Sequence, residues 1–321
     1  MTDRIVAGVA VGCLSLLLQA PPSPSTAGGT VLPPSPADTL RVIVLGSGVG
    51  PPVNLQQFGA SILIEAGRER LLFDCGRGAT LRLAQVGVPI GSISRLFLTH
   101  LHSDHVVQIP DLLLTGWAGG GRTVPLEVWG PAGTREMMDH LQQAFAFDIH
   151  MRRDVDEKFP GDGIRVVSHD IAQGAVYDND GVKVTAFLVD HGPVAPAFGY
   201  RIDYRGHSAV LSGDTRLSEN LVRFAKGADV LVHESVDPDV VRARAPSAEV
   251  ANTILAHHVT PEQAGEVFAR VKPRLAVYSH ASPAASIVAK TRTTYGGPLE
   301  GPEDMLTIDI ADRIDVHHFG R

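Results

Sequence analysis

Thr99-His100-Leu101-His102-Ser103-Asp104-His105 places three imidazoles and one carboxylate within six positions. Imidazole nitrogen and carboxylate oxygen are the ligands that borderline divalent metals such as zinc take. The apolar run from Ile93 to Leu98 reads as a buried strand that delivers them into a loop. In extended backbone alternate side chains share a face. His100 and His102 can therefore grip one ion, and Asp104 and His105, after the chain turns, a second. The plain alternative is a histidine-rich surface loop, but the string arises rarely enough by chance to carry weight.

Two ions need more ligands, and other apolar runs end in suitable residues. His191 follows the strand-like run Val182 to Val189. Asp214 sits in Ser212-Gly213-Asp214-Thr215, directly after Ala209-Val210-Leu211. His280 lies in Tyr278-Ser279-His280, after Leu275-Ala276-Val277. Each alone reads as an ordinary turn residue. Together with the first motif they give five histidines and two aspartates, a set for two zinc ions bridged by Asp214, with manganese or iron as alternatives.

The order of THLHSDH, His191, SGDT and SHAS resembles the metallo-β-lactamase fold superfamily. Four further strings resemble its ribonuclease Z and arylsulfatase-like branch. They are Val44-Leu45-Gly46-Ser47-Gly48, Phe198-Gly199-Tyr200-Arg201 after His191, Val232-His233-Glu234, and His258-Val259-Thr260 ahead of Gln263-Ala264. The resemblance spans roughly residues 40–310 and implies an α/β four-layer αββα sandwich. It departs from ribonuclease Z in one place. The long arm that grips tRNA there has no room here, because Tyr204-Arg205-Gly206-His207 reads as a tight hairpin turn between Tyr200 and Asp214. An insertion between about Gly130 and Gly181 stands elsewhere instead.

Two divalent metals bring more positive charge than Asp104 and Asp214 return, which suits an anionic ester. Such metals lower the pKa of a bound water toward about 7 and so provide a nucleophile near neutral pH. The leading expectation is a metal-dependent hydrolase of a small or medium anionic ester, a phosphodiester first. Arylsulfatase- or lactonase-type ester hydrolysis and tRNA 3′-processing of the ribonuclease Z kind are the alternatives, and a metal-binding scaffold is the non-enzyme one. Asp104 would orient the water as well as ligate. The ligands consume five histidines, so the proton for the leaving oxygen must come from a sixth. His258 is the candidate, with His233-Glu234 supplying the carboxylate that orients it and keeps it protonated.

The formal net charge of −7 shows no basic excess, so no extended nucleic-acid groove is expected. A homodimer remains open. Ile5 to Leu18 is an apolar run behind Arg4, too short for a comfortable membrane span. It reads as the core of a secretory signal, placing the mature protein outside the cytoplasm, secreted or periplasmic, with no integral span. A start chosen too early upstream of a cytoplasmic enzyme is the alternative. The expected organisation is a signal peptide over 1–27, a Pro-rich linker over 28–38 and one metallo-β-lactamase-fold hydrolase domain over 39–321. Of the two cysteines, Cys13 leaves with the signal and Cys75 reads as a small buried hydrophobe.

Strands are expected at Arg41–Leu45, Ser61–Glu65, Arg70–Phe73, Ile93–Leu98 and Leu126–Trp129. In the second half they fall at Gly174–Tyr177, Val182–Val189, Phe198–Asp203, Ser208–Leu211, Asp229–Val232 and Leu275–Tyr278. Thr80–Val86 and Thr134–Phe147 carry helical spacing, and Thr260-Pro261-Glu262-Gln263 opens another helix with a capping box. Gly46-Ser47-Gly48-Val49-Gly50 lacks the lysine of a phosphate loop and reads as a tight turn at the site's edge. Trp117 with Gly119-Gly120-Gly121 reads as a mobile flap over the cleft or as a plain connection. His140, His150, His169 and His207 read as surface residues, and His317 and His318 as a solvated tail beyond the last strand.

Overall fold

The computed structural model describes residues 37–319, so the expected signal peptide and most of the linker lie outside the described residues. In chain order the first six strands are β1 (Leu40–Gly46), β2 (Ser61–Ala66), β3 (Glu69–Phe73), β4 (Arg95–Phe97), β5 (Leu126–Gly130) and β6 (Val166–Asp170). Next come β7 (Gly174–Asn179), β8 (Val182–His191), β9 (Val194–Tyr204), β10 (His207–Leu211), β11 (Val230–Ser235) and β12 (Leu275–Ala281). The last three are β13 (Leu299–Glu300), β14 (Leu306–Ile310) and β15 (Ile314–His317). One sheet runs β15-β14-β1-β2-β3-β4-β5-β6, the other β13-β12-β11-β10-β9-β8-β7.

Helices cover both outer faces. They are α1 (Ala79–Gln85), α2 (Ser103–Val106), α3 (Ile109–Ala118), α4 (Thr134–Ala144), α5 (Ala146–His150), α6 (Glu219–Ala225), α7 (Pro238–Arg244), α8 (Ala248–His257), α9 (Pro261–Val271) and α10 (Ala284–Thr291). The β1 sequence shows why the sandwich has four layers. Alternate side chains point to opposite faces of a strand. Val42 and Val44 enter the core between the sheets, whereas Ile43 and Leu45 enter the core under α1 and α3. Leu231 and Val232 of β11 divide in the same way, Leu231 toward α6 and α9. A strand buried on both faces must be apolar throughout rather than alternating.

Topology then positions the site. β3, β4, β5 and β6 pair in parallel, as do β10, β11, β12 and β13. β8 shares the direction of β10, because each is antiparallel to β9. The carboxyl ends of these strands therefore empty along one edge of the sandwich.

Several expectations need correction. His317 is the last residue of β15 rather than part of a tail beyond the strands, and its ring lies 3.5 Å from Asp309. His169 of β6 stacks on Trp129, with ring centroids 5.1 Å apart, and its Nε2 is buried. Trp117 is no flap. It is 1% exposed on α3, and its Nε1 donates to the Pro160 carbonyl. Gly120 after it is needed for close approach: a Cβ there would stand 2.6 Å from the Gly91 nitrogen. The helix expected over Thr134–Phe147 breaks at Phe145 into α4 and α5, and a π-helical turn, Met151–Val155, follows. The Tyr204–His207 turn is as tight as expected, with Arg205 and Gly206 at φ 47° and 85°, the left-handed pair that favours a two-residue hairpin. Cys75 is fully buried, and burial pushes its thiol pKa up.

Candidate metal centre

His100, His102, Asp104, His105, His191, Asp214 and His280 come together at the shared edge. Ligand atoms of His100, His102 and His191 lie within 4.8 Å of one another, as do those of Asp104, His105 and His280, and those of His100, His105 and Asp214. Asp214 sits between the two halves. Its Oδ2 is 3.8 Å from His100 Nε2, 3.4 Å from His105 Nε2 and 3.9 Å from His191 Nε2. Its Oδ1 is 3.1 Å from His280 Nδ1, and His280 Nε2 is 3.2 Å from Asp104 Oδ2.

The donor set fits divalent ions on two counts. Ligands ~2.1 Å from a tetrahedral ion stand about 3.4 Å apart, which is the spacing seen around Asp214. Further, His100 Nε2, His105 Nε2, Asp214 Oδ1 and His280 Nδ1 are all buried without a hydrogen-bond partner. Buried polar atoms are ordinarily satisfied, so four such atoms aimed at one volume mark a place for a cation. The electrostatics agree. Burial, followed by the neighbouring His105, lowers the His100 pKa well below 6.5, and burial likewise lowers those of His102 and His191. Neutral imidazoles keep the lone pair a metal needs. Burial opposes the ionised form of Asp214, but His280 and His105 hold its pKa well below the usual range. Asp104 is held low against burial by its hydrogen bond with His280.

Local structure explains each placement. β4 ends two residues before Thr99, and the short α2 turns Asp104 and His105 back toward the strand ends. His280, the penultimate residue of β12, has φ 49°, a left-handed backbone uncommon for a residue with a Cβ. His191 Nδ1 donates to the His257 carbonyl at 3.1 Å, which orients its other nitrogen toward the cluster.

One contributor escaped sequence reasoning. Asp74, at φ 56° just past β3, accepts from Thr99 N at 2.9 Å, Thr99 Oγ1 at 2.8 Å and His105 Nδ1 at 2.7 Å. It ties the metal-motif loop to β3 and sets the His105 ring. Its signal was present: a carboxylate directly after Leu71-Leu72-Phe73, the same strand-end pattern that marked Asp214.

The expected residues behind the ligands divide. His258 Nδ1 donates to Glu234 Oε1 at 3.1 Å, and a His258 nitrogen lies within 4.8 Å of ligand atoms of His191 and Asp214. Burial works against a charged His258 ring, yet Glu234 beside it pushes the pKa up to about 9. The capping box expected at Thr260 and Gln263 forms and fixes the backbone that follows His258. His233 is not part of this group. Successive residues of β11 face opposite ways, so Glu234 points to the cluster and the His233 ring packs against Phe268 of α9. Its Nδ1 donates to the Glu234 carbonyl.

The Gly46–Gly50 turn lies at the edge of the site, with Gly50 N 3.4 Å from His280 Nε2.

Residues 69–281 match the β-lactamase superfamily domain, and the chain belongs to that superfamily: it is a metal-dependent hydrolase of the metallo-β-lactamase fold. Ribonuclease Z of Mycobacterium marinum (strain ATCC BAA-535 / M) is 34% identical over 286 residues, covering 85% of this chain and 100% of the relative. Among solved structures, the metallo-β-lactamase fold protein YhfI from Bacillus subtilis matches with a TM-score of 0.66 at 18% identity, over 85% of this chain and 100% of its own. The short form of human tRNase Z matches with a TM-score of 0.64 at 23% identity, over 84% and 99%. No helix among the described residues is long and apolar enough to cross a membrane.

Proposed function

We propose that the protein is a phosphodiesterase of the ribonuclease Z type, acting on RNA. In this reading His100, His102, Asp104, His105, His191, Asp214 and His280 hold two divalent ions, zinc first among them. The observation that carries it is the His258–Glu234 contact of 3.1 Å beside the cluster. A ribose or alkyl oxygen leaves slowly without a proton, and a positioned imidazolium supplies one. The ions, when bound, supply Lewis-acid charge to the ester and an acidified water. Asp104 accepts a hydrogen bond from the attacking water and aims it. Glu234 keeps His258 protonated until its proton passes to the departing oxygen. Asp74 holds His105, and the His257 carbonyl holds His191, so the cluster keeps its shape during turnover.

Relatives named Ribonuclease Z favour RNA over a small ester, which reverses the order expected from the sequence. The missing arm does not count against it, because the Mycobacterium marinum relative is matched along its whole length. A second reading, hydrolysis of a small phosphate or sulfate ester outside the cytoplasm, is favoured by the Ile5–Leu18 run and the net charge of −7. The test is a zinc-loaded protein assayed on RNA with a 3′ trailer, small phosphodiesters, aryl sulfates and lactones. Cleavage of the RNA supports the first reading. Turnover of sulfates or lactones with no diester cleaved refutes it.

A further inference from the structure

Beside Asp104 lies a cleft of about 320 Å³ that the cluster itself does not use. It runs between the Gly48–Phe58 loop, the start of α1 and the end of α2. Its apolar lining is unusual for a protein surface. Val53, Leu55 and Leu81 are 70%, 80% and 60% exposed, and Val107 joins them. Contiguous exposed apolar side chains mark a place where something binds. Among the described residues lining the cleft, Arg77 is the only cation and Asp104 the only carboxylate.

The back wall is built rather than incidental. Phe58 packs close against Gly78, where a Cβ would fall 2.1 Å from the ring, and Gly78 has φ +87°. The Arg82 guanidinium lies over that ring, 3.9 Å from its centroid. A single buried carboxylate, Asp304, then clamps the loop at both ends. It accepts from Ser47 N at 2.9 Å, Ser47 Oγ at 2.8 Å and Phe58 N at 2.8 Å, and it pairs with Arg82 at 2.8 Å. The loop and Asp304 lie outside residues 69–281, the span that the superfamily domain matches.

We propose that this cleft is a specificity subsite that takes a planar ring carried by the ester, with Arg77 meeting the ester's negative charge. The inference rests on the reading of the cluster as a phosphodiester-cleaving centre, and deepens it. Asp104 lines the cleft and belongs to the cluster, so a group bound in the cleft is continuous with the scissile bond. The volume suits one ring system, and the exposed apolar side chains of Val53, Leu55, Leu81 and Val107 suit its flat face. A nucleobase and a simple aryl group share that chemistry.

Three substrates with one leaving group test it: thymidine 5′-(4-nitrophenyl phosphate), phenyl 4-nitrophenyl phosphate and methyl 4-nitrophenyl phosphate. Ring-bearing esters should exceed the methyl ester in kcat/KM by about tenfold, the effect of one buried apolar contact set. In Leu55→Ser/Leu81→Ser that ratio should fall to about one, whereas Phe147→Ser, an exposed apolar change on α5, should keep it. Preference for thymidine over phenyl identifies a nucleobase as the occupant, and the reverse an aryl group. A ratio near one in the unaltered protein, or one unmoved by the double substitution, overturns the subsite. If no diester is cleaved, calorimetric titration with phenyl phosphate against methyl phosphate reads the cleft alone. Tighter phenyl phosphate binding that the double substitution abolishes then sustains the subsite while the proposed function falls; equal binding overturns it.

Discussion

Glu234→Gln keeps the shape of the side chain at the end of β11 and removes its charge. In the intact site burial works against a protonated His258, and Glu234 at 3.1 Å overcomes that to push the pKa from 6.5 up to about 9. This gap corresponds to about 3 kcal/mol at 1.36 kcal/mol per pH unit. Both groups are almost wholly buried, so solvent screening takes little from it. Without the carboxylate the burial effect dominates, and His258 should titrate below 6.5. The folded pKa lies above the unfolded one. The stabilisation is therefore complete below pH 6.5 and is lost as pH rises through about 9. Glu234→Gln should cost about 3 kcal/mol at pH 6 and little above pH 10. The assay is an NMR titration of the His258 ring in metal-free protein, where no cation competes with the proton, joined to urea unfolding at the two pH values. A His258 pKa near 6.5 in both proteins, or an equal stability loss at pH 6 and pH 10, refutes the reasoning.

Three further outcomes can be measured. His258→Ala should slow hydrolysis of an alkyl diester by ~10²–10⁴-fold yet spare most of the rate on a nitrophenyl diester, with metal content kept; His233→Ala, whose ring faces α9, should show no such contrast between leaving groups. Elemental analysis should return close to two divalent ions per chain, and Asp74→Ala should weaken their binding by about 10–100-fold by freeing the His105 ring; one ion or fewer, unchanged by supplementation, would contradict the bridged pair. Amino-terminal sequencing of the native protein separates the two readings: an intact Met1 in the cytoplasm accords with the RNA-cleaving enzyme, and a start between Ala20 and Thr39 in an exported form with the small-ester hydrolase.

Much of the architecture was legible along the chain because it is written in local chemistry. Apolar runs of strand length, the Tyr204–His207 turn and the Thr260–Gln263 capping box each act within a few residues, and each appears in the fold. The candidate metal-ligating side chains were legible for a related reason: a histidine or aspartate that ends an apolar strand is a conspicuous residue in a conspicuous place. The His100–His105 string carries its own geometry, since strand periodicity and one short turn bring its members together. What stayed hidden depends on which elements become neighbours. Asp74 looks like any loop carboxylate until β4 is laid beside β3 and brings Thr99 and His105 against it. His233 and Glu234 are equivalent in the sequence, and only the face of β11 that meets the cluster separates a base partner from a core residue. Asp304 clamps a loop more than 240 residues earlier in the chain, a contact of |i−j| = 246 at Phe58 that no local pattern encodes. Pairing of side chains within a turn or strand is decided by covalent geometry, which the sequence by itself determines. The assembly of the second shell and the walls of the cleft are decided by sheet order and register, and those exist only once the two sheets have closed on their shared core.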